Sequence, residues 1–341
     1  MRHYVRRLLG AAALVALGLA PLAAAAEPFR LITTDLEPQL VPNSVTDFAL
    51  SLGYFEREGV EVELVRVQQT PSAVAALQAG EGEMANISVD AALQLVARDQ
   101  MDLKAVVSPN KSLPFLIAGK DSITALGDLE GKSFGIGRVG SLDHSLSTKV
   151  LSTKGVHPEA IEFVAIGQPN VRAQALAAGQ LDATTMSIGT WLAMPEHEGL
   201  AVLVSPDDYY AAAPVLNKVN VVPDEVLAER RDEVVAVVRA IVKASRDFSA
   251  NPELWVDAMA AARSDVDRET LETLARTFTG SWSVNGGMNR EEITETVDWT
   301  YATPDFAGLR KPALDEWVDL APLEEVLEAE GVAPRFDQPG Y

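Results

Sequence analysis

Residues Gly135-Ile-Gly137-Arg-Val-Gly140 spell G-x-G-x-x-G between a strand-like and a helix-like stretch. That spacing can turn backbone N–H groups toward a pyrophosphate, and Glu162, about 20 residues on, could take a ribose hydroxyl. Ser141, Asp143 and His144 follow at once. They are the residue types of a nucleophilic triad, but spacing this tight does not assemble one by itself. No G-x-S-x-G is present. The four histidines stand at 3, 144, 157 and 197, with no H-E-x-x-H and no cysteine, so a metal site lacks its ligands. The same cluster reads differently as a recognition site. Ser141 opens a helix whose free N–H groups could hold an oxyanion, and Arg138 and His144 could add donors. Asp143 in that first turn would oppose an anion. Bland roles are open too: Ser141 as a helix N-cap, Asp143 as a partner of the helix dipole.

The elements that would position these residues follow an alternating pattern. Phe29 to Thr34 reads as a strand, and Val45 to Glu58 as a helix with Phe48, Leu52 and Phe55 on one face. Val60 to Val67 alternates at period two, a half-buried strand. Ser72 to Ala79 is a short helix stopped by Gly80. Glu83 to Val89 is a strand and Ala91 to Arg98 a helix. Leu103 to Ser108 and Leu113 to Ala118 are further strand-like runs. The plan then restarts: strand Lys132 to Gly137, helix Ser141 to Thr153, strand Ile161 to Ile166, helix Val171 to Ala178, strand Leu181 to Ser187. Ala73-Val-Ala-Ala-Leu-Gln-Ala-Gly80 and Arg172-Ala-Gln-Ala-Leu-Ala-Ala-Gly179 are the same phrase twice. The pattern predicts two α/β lobes of like construction, followed by helices from Asp224 to Phe248 and beyond.

In open α/β sheets, ligands bind beyond the carboxyl ends of strands. That rule selects Thr34, Asp35 and Gln39 after the first strand, Gln69 and Thr70 after the second, and Asn86, Ser88 and Asp90 after the third. Asn110 and Lys111 lie just before the strand-like run Leu113 to Ala118. Arg138, Ser141, His144, Ser187, Thr190 and Trp191 follow strands of the second lobe. Their hydroxyls and amides suit recognition of a polar solute, and Trp191 could stack on one or simply pack in the core. No cofactor and no metal are expected.

Composition narrows the setting. Arg2, Arg6 and Arg7 precede an apolar run of about 15 residues, Leu8 to Leu22, and Ala24-Ala25-Ala26 precedes Glu27. That order is expected of a secretory signal cleaved near Ala26, because a membrane span needs roughly 20 apolar residues. The Arg6-Arg7 pair leaves both export routes open. The chain carries 28 Lys+Arg against 49 Asp+Glu. Such a surface disfavours nucleic acid and anionic lipid. With no cysteine there is neither a disulfide nor a cysteine-linked lipid anchor, so the core alone must hold the fold.

Several phrases carry a family resemblance. Leu50-Ser-Leu-Gly-Tyr-Phe-Glu-Arg-Glu-Gly-Val-Glu-Val-Glu-Leu-Val65, Ala76-Leu-Gln-Ala-Gly-Glu-Gly-Glu-Met-Ala85, Leu126-Gly-Asp-Leu-Glu-Gly-Lys-Ser-Phe-Gly135 and Ala175-Leu-Ala-Ala-Gly-Gln-Leu-Asp-Ala183 occur in this order. They resemble stretches of periplasmic solute-binding proteins of ABC importers, the nitrate, sulfonate, taurine and thiamine-pyrimidine class. The resemblance implies the periplasmic binding protein fold: two α/β lobes, two crossover strands and a helical C-terminal part. It implies a signal peptide at 1–26, lobe I at 27–115 and 220–341, and lobe II at 116–219. It implies capture of a small polar organic solute (sulfonate, carboxylate or pyrimidine-like) and delivery to an inner-membrane ABC permease with its cytoplasmic ATPase. The protein would be a periplasmic monomer and not an enzyme, and its cleft would be lined by the segment of Asn86 and Ser88. Where some relatives carry "W-E-P" this chain has Thr185-Met-Ser-Ile-Gly-Thr-Trp191, so no ligand identity carries over. Two alternatives stay open: the receptor of a tripartite ion-driven transporter, and a dinucleotide-binding enzyme through Gly135–Gly140.

Overall fold

A computed structural model describes residues 27–109, 114–213, 215–278 and 280–334. The expected signal segment, Asn110 and Lys111 lie outside the described residues. Ten strands form two five-stranded sheets. The first contains β1 (Phe29–Thr33), β2 (Val62–Arg66), β3 (Met84–Ser88), β4 (Leu103–Val107) and β10 (Lys218–Pro223), in the order β2-β1-β3-β10-β4. The second contains β5 (Phe115–Lys120), β6 (Ser133–Ile136), β7 (Glu162–Ala165), β8 (Ala183–Ser187) and β9 (Leu200–Val204), in the order β7-β6-β8-β5-β9. Each sheet has three parallel strands and then a crossing strand, β10 or β5, running antiparallel to both its neighbours.

The duplicated phrase explains the likeness. Helices Gln69–Gln78 and Pro169–Ala177 both feed a buried central strand, β3 and β8. Both reach it through a glycine in the left-handed region, Gly80 (φ 72°) and Gly179 (φ 71°), where a side chain would be strained. β3 reads Met-Ala-Asn-Ile-Ser with every residue buried, as a central strand covered on both faces must be.

Several elements depart from the sequence reading. The helix predicted from Val45 to Glu58 is two, Val45–Ser51 and Tyr54–Arg57, parted at Gly53 (φ 72°). β9 was not expected. The helix predicted from Asp224 to Phe248 is two helices, Asp224–Glu229 and Arg231–Ala250. The break is at Arg230 (φ −125°), whose guanidinium clasps Glu233 at 2.6 Å and approaches Glu83 at 3.5 Å. The longer helix packs Val234, Val238, Ile241 and Phe248 into the core of the first lobe, together with Trp255 and Trp317. Among the described residues no helix is long and apolar enough to cross a membrane.

Asp182 ties the second sheet together. It accepts from Lys120 Nζ (2.7 Å), Ser133 N (3.0 Å) and Ser133 Oγ (2.8 Å), so it joins the ends of three strands. The Lys120 hydrogen bond is the largest cause that pulls its carboxyl down to about 2. A lowered folded-state pKa contributes stability above the unfolded value, near 4, that fades as pH falls toward 2. Asp182→Asn should flatten the acid limb of a melting-temperature profile between pH 4 and pH 2. An unchanged slope would count against this role.

Candidate functional site

The carboxyl ends of β1 and β2 face the loops after β6 and β8 across a cleft between the sheets. The cleft is closed. Arg138 Nη1 donates to Ser72 Oγ at 2.8 Å. Lys149 Nζ pairs with Asp90 at 2.6 Å and lies 4.9 Å from the ring centre of Trp299. Gly189 packs so tightly on the other lobe that a Cβ there would sit 2.1 Å from Leu40 O. Only glycine permits that approach.

Inside lies a cavity of about 60 Å³. Thr34, Asp35, Gln39, Gln69, Thr70 and Ser187, expected at the site, line it. So do residues the sequence reading did not nominate: Lys218, Asn43, Gln168, Phe115 and Arg172. Gln69 has φ 64°, left-handed for a residue with a side chain. Such strain persists where the surroundings impose it, and it is enriched at binding sites.

Lys218 is the central feature. It is 7 % exposed, it begins the crossing strand β10, and its ammonium donates to Thr34 Oγ1. Among the described residues no carboxylate comes within ion-pair distance of it. A buried ammonium without a counter-ion is costly unless something else supplies the charge. Two amide atoms in the same lining also lack partners among the described residues: Gln168 Nε2, a donor, and Asn43 Oδ1, an acceptor.

Of the other charged residues in the lining, Arg172 and Asp143 face each other, while Asp35 accepts from Asn43 Nδ2 at 3.3 Å and enters no ion pair among the described residues. Arg172, 2 % exposed, donates to Gly167 O, to Thr184 Oγ1 (3.1 Å) and to Thr185 O (3.0 Å), and faces Asp143 at 3.5 Å. Burial pulls its guanidinium below the ordinary value, and Asp143 opposes that pull. Asp143 accepts from Gly137 N (2.7 Å) and Ser141 Oγ (2.7 Å). Asp143, in the first turn of the helix Leu142–Thr153, thus takes the N–H of Gly137 in the loop before it. Gly140 N likewise donates to His144 Nδ1 at 3.4 Å. The G-x-G-x-x-G loop therefore turns three of its amides, those of Gly137, Arg138 and Gly140, onto this chain's side chains, where a pyrophosphate would need them.

The remaining nominated residues are placed elsewhere. Asn86 lies within β3 and donates to Asn220 Oδ1 at 2.8 Å. Ser88 caps the next helix, accepting from Ala91 N. Ser141 bonds Arg138 O at 2.6 Å. His144 packs on Phe163, and burial lowers its imidazole below the ordinary value. Trp191 lies over His197, ring centres 4.2 Å apart. None of these lines the 60 Å³ cavity.

Known proteins share this architecture. A Bordetella bronchiseptica RB50 protein superposes with a TM-score of 0.74 at 15 % identity, over 89 % of this chain and 98 % of that one. The alkanesulfonate-binding protein of Xanthomonas axonopodis pv. citri, bound to MOPS, gives 0.63 at 17 %, over 88 % and 99 %. The desulfurization enzyme DszB gives 0.59 at 17 %, over 89 % and 99 %. Identities this low establish the fold alone. A search of curated proteins finds no match. The sequence profile of the family described as NMT1/THI5 like matches residues 47–254, which is more than half of the chain. The protein therefore belongs to the NMT1/THI5-like family and has the periplasmic binding protein fold.

Proposed function

We propose that this protein is an exported solute receptor that closes its two lobes over a small polar organic anion and delivers it to the permease of an ABC importer. One observation carries the reading: Lys218, buried between the lobes, has no carboxylate within ion-pair distance among the described residues. An acidic headgroup would supply the missing charge, with Gln168 Nε2 and the hydroxyls of Thr34 and Thr70 as further donors. About 60 Å³ suits a carboxylate or sulfonate group, since a benzene ring occupies a cavity of about 150 Å³. Contacts to both lobes would favour the closed form, by whatever affinity difference the solute has for the two forms. In this reading the lobes meet at the two crossings, with β5 opening lobe II at Phe115 and β10 re-entering lobe I at Lys218.

A thermal-shift screen over carboxylates, sulfonates, pyrimidines and amines tests it. A solute at 100 times its Kd should add about 2.7 kcal/mol of stability. The reading fails if only nucleotides or metal ions shift the melt.

A further inference from the structure

Each glycine of the G-x-G-x-x-G loop answers a separate demand. Gly135 lies in β6, where a Cβ would meet Leu181 Cδ1 of its own lobe at 2.4 Å. Gly140 turns the chain with φ 78°. Gly137 is buried, and its φ lies outside the left-handed region. The three atoms nearest to a Cβ built there are Cδ, Nε2 and Oε1 of Gln69, at 2.7, 2.7 and 2.9 Å. Gln69 opens the helix Gln69–Gln78 of the first lobe. The second lobe is therefore pared to a hydrogen atom where the first lobe presses on it. One residue on, Arg138 Nη1 donates to Ser72 Oγ at 2.8 Å. Pro71 Cγ would lie 3.8 Å from a Cβ at Gly140. The contact thus runs along Gln69–Ser72 on one side and Gly137–Gly140 on the other. These segments follow β2 and β6, which stand away from the crossing strands β10 and β5 in their sheets. A hinge at the crossings moves such distant segments most.

We infer that these two segments form a catch that holds the lobes shut by the protein's own contacts. Gly137 sets how far the lobes close, and Arg138 pins them there. Gln69 links the catch to the site: its carboxamide rests on Gly137, and the same residue lines the cavity of about 60 Å³. Its left-handed backbone is a conformation that persists only where the surroundings impose it, and the catch is such a surrounding. The closed form is then populated with no solute present. The apparent affinity for any solute scales with the closed fraction that the catch provides. The inference rests on the receptor reading in one respect, that lobe closure is the working motion.

Double electron–electron resonance on the solute-free chain tests it. The sequence has no cysteine, so spin labels on Glu63→Cys and Glu162→Cys, exposed positions of β2 and β7, report the distance between the lobes without interference. With no further change, the labelled chain should show a population at the short distance of the closed form. Gly137→Leu should remove that population, because the new side chain needs the space of the Gln69 carboxamide. Adding Gln69→Gly, which empties that space and suits φ 64°, should bring it back. Arg138→Ala should lower the ratio of short to long distances by at least about threefold. It trims only a half-buried side chain, so the test stands even where Gly137→Leu fails to fold. A long distance alone in the otherwise unchanged chain overturns the catch. So does a short-distance population that Arg138→Ala leaves intact. Neither result touches solute capture, which the thermal-shift screen reads separately.

Discussion

Lys218→Met should abolish solute capture while leaving the empty protein as stable as before, or more stable. The two effects have opposite sign because they have different origins. In the empty protein, the buried ammonium has a hydroxyl neighbour in Thr34 and no carboxylate among the described residues. Methionine fills similar space with no charge to desolvate, and Thr34 Oγ1 loses only the one hydrogen bond it accepted from the ammonium. The melting temperature should hold or rise. In the complex, the loss removes one half of a buried charge pair. Such truncations cost about 2–5 kcal/mol, a loss of roughly 30-fold to several thousand-fold in affinity. Stability gained and function lost at one position is the signature of a site strained for its task. Calorimetric titration beside a thermal melt reads both. Wild-type affinity in the variant would remove Lys218 from the site.

Arg172→Met should be the most destabilising change in the second lobe, about 3–5 kcal/mol. The guanidinium is fully buried and satisfies Gly167 O, Thr184 Oγ1 and Thr185 O while facing Asp143. Its removal strands a buried carboxylate and three acceptors, and an uncompensated buried charge is where losses of this size arise. Adding Asp143→Leu should recover part of the loss by removing the stranded charge. Recovery stays partial because Gly137 N then loses its acceptor. Urea unfolding of both variants decides it. A single-variant loss below about 1 kcal/mol would show that the pair is not a structural anchor.

The two predictions rest on residues of unequal legibility. The alternating elements, the duplicated phrase and the glycine stops all showed in the sequence, because local periodicity and backbone demands generate them. Thr34, Asp35, Gln39, Gln69, Thr70 and Ser187 could be nominated because they follow strands. The same rule reached too far at Asn86, which lies inside β3, where its partner is the neighbouring strand. Lys218 was hidden by register. Its place in the cleft depends on pairing with Ser88 of β3, a long-range fact. Arg172 did leave a trace. The matching position of the first phrase is Ala73, fully buried, so an arginine in the second copy had to bring its own counter-charge. Asp143, first read as an obstacle to anions, is that charge. The break at Arg230 and the strand β9 carried no strong local signal, since helix propensity runs through the first and a short apolar run is ambiguous for the second.

The crossing strands also impose an order on assembly. The second sheet is complete once the chain has reached Val204. The first is not, although four of its five strands come earlier in sequence. β3 and β4 do not pair with each other; each waits for β10, and among the described residues β4 otherwise has only a single bridge from Ala105 to Val318. A chain delivered N-terminus first therefore holds an open slot in its first lobe while the second lobe closes behind it. Until Lys218–Pro223 arrives, the facing edges of β3 and β4 are unpaired and adhesive. The segment that fills the slot begins with Lys218, so the proposed binding site and the last seam of the first sheet are finished in one step.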